Sequence, residues 1–166
     1  MRIIGGKFRG RKLEYITDEE TRPTTDRIRE SIFNVLGSKI RGAIVLDLFS
    51  GSGAFAAESI SRGAKHVTAN DIRPDAIETI KINCPTAEIH QLDFRVLLAQ
   101  LKQKFDIIFV DPPYNSDFAK EAIELIKLRG LLAPNGIIVA HNDTSTPQIH
   151  QSSKVKVYGR TRIEFI

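Results

Sequence analysis

The sequence predicts a single α/β domain, in which a mostly parallel seven-stranded sheet carries helices on both faces and ends in an antiparallel hairpin. Two observations support this fold class. From residue 43 onward, apolar runs of strand length alternate with segments of helical periodicity, which is typical of a parallel sheet with right-handed crossovers. Near the end, two alternating runs flank Gly159-Arg160 and indicate the hairpin. A length of 166 residues suits one domain with one adequate core.

The elements follow in a regular order after an N-terminal segment. We divide the chain into residues 1–42, a basic arm with a helix, and residues 43–166, the sheet domain. The predicted strands are 44–49, 66–70, 87–92, 105–110, 137–141, 154–158 and 161–166. The predicted helices of the sheet domain are 54–61, 75–83, 94–102 and 118–128. Residues 142–153 are polar and loop-like.

Residues 1–13 are predicted to form a small β hairpin or an arm around the turn signal Gly5-Gly6. This stretch contains no acid and the following cations: Arg2, Lys7, Arg9, Arg11 and Lys12. Such a block fits contact with phosphates, and on charge alone a solvated surface fits equally well. Phe8 could stack on a base, but the interpretation we favour is that it pins the arm to the core.

A helix is predicted to begin at Thr24, Thr25 or Asp26 and to stop at Gly37, because apolar residues recur at helical spacing between them. Three cations lie near its start: Arg22, Arg27 and Arg29. Cations at this end oppose the helix dipole, so the pattern indicates that an anion or a nearby carboxylate compensates their charge.

Composition excludes several classes of protein. The single cysteine, Cys84, excludes an internal disulfide and an all-cysteine metal site. The histidines show no metal-ligand spacing, and we interpret all of them as structural or surface residues: His66, His90, His141 and His150. No signal peptide and no apolar run long enough for a bilayer is visible, so we expect a soluble cytoplasmic protein without a membrane partner.

Three candidate ligand sites stand at predicted strand ends. The run 47–53, Asp-Leu-Phe-Ser-Gly-Ser-Gly, puts a glycine-rich turn between a strand and a helix, where a ligand can approach the backbone. Asp71 follows about 20 residues later, where an acid can bind ribose hydroxyls, although a helix cap is the alternative. Asp93-Phe94 could meet an adenine amino group or cap a helix. Together these sites line one edge of one sheet.

A fourth site follows the apolar run 105–110. Pro112 and Pro113 cannot continue a strand because neither has an N–H to donate, so the strand ends before them. Asp111 and Tyr114 are thereby held on a stiff loop at the edge where open α/β sheets bind ligands. On a loop stiffened by two prolines, an acid can bind the amino edge of a planar group and an aromatic ring can pack on its face.

These residues carry a resemblance to a known family. The chain resembles a class I S-adenosylmethionine-dependent N-methyltransferase, a Rossmann-like domain, in the succession 47–53, Asp71, Asp93-Phe94 and Asp111-Pro112-Pro113-Tyr114. The stretches 2–13 and 22–34 closely resemble the openings of the bacterial 16S ribosomal RNA guanine-N2 methyltransferase family, the RsmD family, and residues 158–161 are similar to its end. The resemblance covers nearly the whole chain. It departs from the family at Ala140, where many members have a glutamate.

The resemblance implies S-adenosylmethionine as cofactor and, as partner, 16S ribosomal RNA within a partly or fully assembled small subunit, with the protein a monomer. It implies that residues 47–53 hold the methionine part of the cofactor, Asp71 the ribose and Asp93 the adenine. The implied cofactor contacts are Asp47, Phe49, Ser50, Gly51, Gly53, Asp71, Asp93 and Phe94. The implied catalytic residues are Asp111, Pro112 and Tyr114. The implied substrate contacts are Pro113, Arg2, Lys7, Arg9, Arg11, Arg22, Thr24 and Arg27.

The chemistry of such a reaction agrees with these residue types. Asp111 and the Pro112 carbonyl could accept the two hydrogens of the guanine amino group, and Tyr114 could stack on the ring. Direct transfer needs positioning but no metal and no covalent enzyme intermediate. A paired base cannot present this edge, so the nucleotide is expected to be unpaired or flipped out.

Other functions remain open at this stage. An adenine-N6 methyltransferase acting on DNA or RNA shares the tetrapeptide, although 166 residues show no obvious target-recognition domain. A protein-glutamine methyltransferase usually has Asn in place of Asp111. An NAD-dependent oxidoreductase would explain Gly51, Gly53 and Asp71, but would leave residues 111–114 and the basic arm unused. A non-catalytic RNA-binding protein would need only the arm and would survive loss of Asp111.

Overall fold

The computed structural model describes residues 1–16, 25–113, 116–151 and 154–166. Its strands are β1 (Ile44–Asp47), β2 (His66–Asn70), β3 (Glu88–His90), β4 (Phe105–Val110), β5 (Leu132–Asp143), β6 (Lys154–Tyr158) and β7 (Thr161–Phe165). Its helices are α1 (Asp26–Leu36), α2 (Ala54–Ser61), α3 (Pro74–Asn83), α4 (Phe94–Gln100) and α5 (Phe118–Leu128), with a short 3₁₀ helix at Gly37–Ile40.

The strands form one sheet in the order β3-β2-β1-β4-β5-β7-β6. Strands β1 to β5 pair in parallel, and β7 pairs antiparallel with both β5 and β6. The predicted fold class is therefore confirmed, including the terminal hairpin. The chain order reverses between β1 and β4, and open α/β sheets bind ligands at such a switch point, beyond the carboxyl ends of the strands.

Apolar clusters pack on both faces of the sheet, as the alternation of strands and helices predicts. On one face, α1, α2 and α3 contribute buried side chains that include Phe33, Phe55 and Ile80. On the other face, α4 and α5 contribute residues such as Leu97 and Ile126. Strands β1, β4 and β5 each supply residues to both clusters, so their carboxyl ends are held rigidly between two helical layers.

The N-terminal residues form a short hairpin that docks on α2. An antiparallel bridge joins Arg2 to Lys12, and the buried side chains of Ile3 and Leu13 enter the core. The Glu58 carboxylate accepts hydrogen bonds from the main-chain N–H groups of Ile4 and Gly5, at 2.8 and 2.9 Å. The predicted arm is thus a fixed part of the domain. The N-terminal segment and the sheet therefore bury side chains in the same apolar cluster.

Two residues of this hairpin, Gly6 and Phe8, show how it docks on the domain. A Cβ atom at Gly6, whose φ is +80°, would lie 2.0 Å from the Ser61 carbonyl oxygen, so the close docking requires glycine. Phe8 is 38% exposed, with the Lys7 ammonium 5.4 Å from its ring centroid. The prediction that Phe8 pins the arm to the core is wrong, because Ile3 and Leu13 at the hairpin base perform that task.

Strand β5 is longer than predicted. Its pairing with β4 begins at Leu132 and resumes at Ile137 after a register shift, and Asn135 adopts a φ of 64° within that irregular stretch. The sequence Pro-Asn-Gly at 134–136 is typical of a turn, which is why the prediction began the strand at residue 137. At its other end β5 continues to Asp143 because it pairs with β7, so residues 142–143 are strand and not loop.

One of the three cations near the start of α1, Arg29, is compensated by a carboxylate as predicted. Arg29 is buried, and its guanidinium donates to the Asp26 carboxylate at 3.1 Å and to the main-chain oxygen of Arg2. Thr25 is the N-cap, accepting from the N–H of Ile28, and the helix ends before Gly37. Arg27 is exposed, whereas Arg22 and Thr24 lie outside the described residues.

Candidate active site

A cavity of about 370 Å³ opens beyond the carboxyl ends of the parallel strands. This volume falls within the range of small-molecule sites, which is roughly 300–1,000 Å³. Nine of the predicted site residues line it: Phe49, Ser50, Gly51, Asp71, Asp93, Phe94, Asp111, Pro112 and Pro113. The structure therefore brings the four strand-end motifs together. Tyr114, the last residue of the fourth motif, lies outside the described residues.

The glycine-rich turn is built around the buried side chain of Asp47. One carboxylate oxygen, Oδ2, accepts from the Ser50 hydroxyl at 2.7 Å and from the main-chain N–H of Ala56 at 3.1 Å. Gly51 and Gly53 have φ angles of 54° and 81°, which glycine adopts without steric cost. These bonds and angles fold the turn tightly against the start of α2 and present its backbone to the cavity.

The underside of the same turn packs closely on α3 and the residue that follows it. A Cβ atom on Gly53 would come within 3.1 Å of the Cys84 sulfur, which leaves no room for a larger residue without a shift. The Cys84 thiol is buried and donates to the Gly53 carbonyl oxygen at 3.4 Å. Burial is the main cause that raises its pKa to about 12, so this thiol is structural.

Asp47 also has an electrostatic feature that bears on ligand binding. Its second oxygen, Oδ1, is buried without a hydrogen-bond partner among the described residues. Burial raises the pKa of Asp47 to about 7, and the nearby carboxylates of Asp111 and Asp71 add to the rise. A buried carboxylate with an unused oxygen is the counterpart that a positively charged ligand group requires. Asp47 and Gly53, both predicted as cofactor contacts, do not themselves line the cavity; they lie beneath Phe49 to Ser52, which do.

Asp71 joins the end of β2 to the glycine-rich turn. Its Oδ2 accepts from the Gly51 N–H at 2.8 Å, and its Oδ1 accepts from the Arg73 N–H at 3.0 Å. The N-cap of α3 is Arg73, so Asp71 is not that helix's cap. Each carboxylate oxygen can accept more than one hydrogen bond, which leaves capacity for the hydroxyl groups of a ligand.

Asp93 is the N-cap of α4, so the structure confirms the alternative that the sequence left open. Its carboxylate accepts from the Arg95 N–H at 2.8 Å and lies 3.3 Å from the Arg95 guanidinium. The same side chain lines the cavity. Phe94 packs at ring-centroid distances of 5.1 Å from Phe49 and 5.5 Å from Phe118, and these three rings form an apolar wall that suits a flat heterocycle.

Asp111 stands at the end of β4 with its side chain 26% exposed at the cavity. The Nδ1 atom of His141 lies 3.2 Å from Asp111 Oδ1. We interpreted His141 from sequence as a structural or surface residue, yet it is buried beside the site. The sequence did hold a signal for this proximity, because His141 is the last residue of one predicted strand and Asp111 directly follows another.

The basic residues of the N-terminal hairpin do not line the cavity. Arg2, Lys7, Arg9 and Arg11 are exposed, and the hairpin turn that contains Lys7 docks at the end of α2, where the Lys7 N–H donates to the Ser61 carbonyl. Met1, Tyr15 and Ile16 at the hairpin base do line the cavity. The hairpin therefore runs from the cavity rim along the side of the domain as a cationic surface.

The geometry defines the class of the protein. A seven-stranded sheet of this order, a glycine-rich turn after β1, an acid after β2 and an Asp-Pro-Pro loop after β4 define a class I S-adenosylmethionine-dependent methyltransferase. The family model described as Conserved hypothetical protein 95 matches residues 1–166, and the chain belongs to that family.

Relatives and solved structures agree with this assignment. The chain is 37% identical over 160 residues to the ribosomal RNA small subunit methyltransferase D of Haemophilus influenzae, covering 90% of this chain and 82% of the relative. It is 36% identical over 148 residues to the Escherichia coli protein of the same name, covering 86% and 75%. The solved structure of a hypothetical protein from Thermus thermophilus superposes with a TM-score of 0.87 at 27% identity, covering 100% and 98%. The resemblance to the RsmD family is confirmed.

Two kinds of feature are absent from the described residues. Within residues 1–16, 25–113, 116–151 and 154–166, no helix has the length and apolar character of a membrane span. In the same ranges, no group of three potential metal-ligating side chains comes together.

Proposed function

We propose that this protein transfers a methyl group from S-adenosylmethionine to the exocyclic N2 of a guanine in 16S ribosomal RNA. The observation that carries the proposal is the placement of the Asp111-Pro112-Pro113 loop at the cavity that the glycine-rich turn also lines. The names of the relatives, which are small-subunit ribosomal RNA methyltransferases, support the substrate.

The residues around the cavity fit this cofactor part by part. Asp47, with an unpartnered buried oxygen, would hold the ammonium of the methionine moiety, and the backbone of the turn at Ser50 and Gly51 would hold its carboxylate end. Asp71 would accept from the ribose hydroxyls. Asp93 and the ring of Phe94 would receive the adenine by its amino group and its face. When bound, the cofactor supplies an electrophilic methyl group on a sulfonium sulfur.

Asp111 and Pro112 would act on the guanine amino group. The nitrogen lone pair is delocalised into the ring, and two acceptors for its hydrogens favour a more pyramidal and more nucleophilic nitrogen. The Asp111 carboxylate would stabilise the positive charge that develops on this nitrogen when it takes up the methyl group, and would accept the proton that the nitrogen then loses. The two prolines hold these acceptors rigidly, so positioning contributes much of the rate. Tyr114 would stack on the base.

The cationic surface of the hairpin would bind the phosphates that flank the target nucleotide. Its residues Arg2, Lys7, Arg9 and Arg11 are exposed, and Phe8 offers an exposed ring for stacking on an unpaired base. We further propose that Arg22, Thr24 and Arg27 contact the RNA, and that the substrate is a partly or fully assembled small subunit, which a monomer binds.

The test of this function is methyl transfer from labelled S-adenosylmethionine to small-subunit particles from a strain that lacks the protein. Wild type, Asp111→Ala and Asp117→Ala are compared, with nucleoside analysis of the product. Asp117 is a matched control, since it is an exposed carboxylate close beyond the same loop, at the start of α5. We expect N2-methylguanosine from wild type and Asp117→Ala, and a loss of about 100- to 1,000-fold in Asp111→Ala. Methylated adenine, DNA or protein would contradict the substrate.

The RNA surface is tested separately with Lys7→Ala/Arg9→Ala. Because phosphate contacts are electrostatic, we expect this double variant to raise KM for the particles and to weaken the salt dependence of binding, with kcat unchanged. Lys102→Ala/Lys104→Ala removes the same charge from exposed positions before β4, outside the hairpin. Equal effects of the two double variants would show that the hairpin has no specific role.

A further inference from the structure

We propose that His141 is a positioning residue for methyl transfer, acting through a hydrogen bond from its Nδ1–H to Asp111. In this arrangement the imidazole holds Oδ1 of Asp111, so that Oδ2 faces the amino group of the target base. The inference rests on the proposed function only in that Asp111 receives an amino group. It applies equally whether that group belongs to guanine or to adenine.

The register of the sheet places the two residues side by side. Strands β4 and β5 are parallel neighbours, with Phe109 paired to Val139 and Val110 paired to Ala140. The next residue along the chain is Asp111 just past the end of β4 and His141 within β5, so the two lie side by side at the same level of the sheet. The resulting distance of 3.2 Å between Nδ1 and Oδ1 lies at the long end of hydrogen-bond distances, so the sheet itself creates the pair.

Among the described residues, the ring of His141 has a single polar contact, which is with Asp111. The ring packs edge-on against Phe55 at a centroid distance of 5.3 Å, and on the β7 side its paired residue is Ile163. Its Nε2 atom is buried and has no hydrogen-bond partner within the described part of the chain. A buried imidazole among apolar neighbours is costly unless it is hydrogen-bonded, and Oδ1 of Asp111, 3.2 Å from Nδ1, is the acceptor within reach. The carboxylate acceptor selects the tautomer with the proton on Nδ1.

The contact with His141 also bears on the repulsion between Asp111 and a neighbouring carboxylate. Asp47 is a second carboxylate close enough for Asp111 to raise its pKa. Two such carboxylates repel each other, and a donor on Asp111 Oδ1 counteracts a rotation of that side chain away from the base. His66 offers a contrast, because its Nε2 lies 2.9 Å from the Glu88 carboxylate at the exposed edge of the sheet and away from the cavity.

Shape-matched variants separate the hydrogen bond from packing. Asparagine places its amide nitrogen where histidine has Nδ1, whereas leucine has the same branched shape without a donor. Phenylalanine keeps the ring contact with Phe55 and also lacks a donor. We therefore compare His141→Asn, His141→Leu and His141→Phe with wild type, using His66→Leu as the matched control at another histidine–carboxylate pair. The measurements are kcat and KM for small-subunit particles, cofactor affinity by calorimetry and the melting temperature.

The expected result is a fall in kcat of about 10- to 100-fold in both His141→Leu and His141→Phe, with KM and cofactor affinity within about twofold of wild type. His141→Asn is expected to recover kcat to within about threefold of wild type, and His66→Leu to leave it unchanged. If His141→Leu fails to fold, the comparison of His141→Phe with His141→Asn decides in the same way.

Two results would overturn the inference. One is wild-type kcat in His141→Phe, and the other is an equal loss in His141→Asn and His141→Phe that follows their melting temperatures. Either leaves the proposed function intact, because wild-type transfer to guanine is measured in the same assay. Conversely, a wild type that methylates adenine contradicts the guanine substrate while the His141 comparison still holds. A wild type without any transfer refutes the proposed function itself.

Discussion

The two halves of the crevice use carboxylates in opposite ways. On the inner half, at β1 and β4, Asp47 is buried with one oxygen unpartnered among the described residues, and Asp111 meets a buried histidine. On the outer half, at β2 and β3, Asp71 and Asp93 are partly exposed and accept hydrogen bonds from main-chain N–H groups. The outer carboxylates are thus partly exposed and already hydrogen-bonded. Asp47 is instead buried and keeps one oxygen unpartnered among the described residues, although Ser50 and the Ala56 N–H both donate to its other oxygen.

This difference indicates which carboxylates should contribute most to cofactor binding and to turnover. A buried carboxylate with an unused oxygen destabilises the empty site and gains most when a cation arrives. A carboxylate that already accepts hydrogen bonds from the backbone gains less free energy from a ligand. Its main contribution is to the shape of the cavity. We therefore expect substitutions on the inner half to have large effects on cofactor binding and turnover, and substitutions on the outer half to have small ones.

The largest effect on cofactor affinity is expected from Asp47→Asn. The change keeps the acceptor for Ser50 but removes the negative charge beneath the turn, so affinity for S-adenosylmethionine should fall about 100-fold, as for loss of one partner of a buried charge pair. Calorimetry on the folded variant measures it. A variant that binds within threefold of wild type would remove the distinction between the two halves.

The same carboxylate predicts a pH dependence of binding in the wild type. The folded protein holds the Asp47 proton up to a pKa of about 7, far above the ordinary value of 3.8 that the unfolded chain keeps. Ligand binding needs the ionised form, so affinity should fall by up to about tenfold per unit as pH decreases below 7. For the empty protein, Asp47 makes the free energy of unfolding decrease as pH rises between about 4 and 7, because in that window the folded state binds more protons. Titrations of Asp47→Asn should lack both trends.

A smaller effect is expected from Asp71→Ala on the outer half. The variant loses the acceptor for ribose hydroxyls and the bond from the Gly51 N–H, which should weaken cofactor binding about tenfold. Asp75→Ala is a suitable control, because Asp75 is an exposed carboxylate two residues beyond Arg73 and pairs with that arginine. A loss in Asp71→Ala as large as that in Asp47→Asn would reverse the ranking.

The smallest effect on binding is expected at Asp93. Removal of the N-cap in Asp93→Ala should lower the free energy of unfolding by about 1 kcal/mol. Asp93→Asn keeps the cap, because asparagine also accepts from the main-chain N–H, so its stability should match wild type. Both variants should weaken cofactor binding only about threefold. Thermal unfolding and calorimetry together separate the two roles, and unequal binding by Ala and Asn variants would indicate that the cap itself shapes the cavity.

Much of the fold and the outline of the site could be predicted from sequence because both depend on local patterns. Strand-length apolar runs ended by acids, glycines or prolines located β1 to β4, and the shared direction of parallel strands placed Asp71 and Asp111 at one edge. Boundaries shifted where pairing overrode local signals, as at Leu132, where turn-forming residues lie inside a strand.

The remaining features depend on contacts between distant segments. Local patterns show that Asp111 and His141 stand at strand ends, but they do not fix which residues pair. His141 lies beside Asp111 because Val110 pairs with Ala140. This register joins segments that are 30 residues apart in the sequence. The docking of the hairpin depends on Glu58, a residue of α2. The sequence does not show that this carboxylate is buried, because its partners are the main-chain N–H groups of Ile4 and Gly5, which are distant in the sequence. The same contacts explain why Phe8 is left exposed.

The buried thiol beneath the glycine-rich turn provides a built-in probe of local opening. Cys84 is the only cysteine in the chain, and it hydrogen-bonds to Gly53 at the base of the turn. With its pKa raised to about 12, it is almost wholly un-ionised at neutral pH, so a thiol reagent reacts only when this packing separates. The labelling rate of the unmodified protein therefore measures how often the floor of the cavity opens, and slower labelling with cofactor present would register its tightening without any engineered reporter.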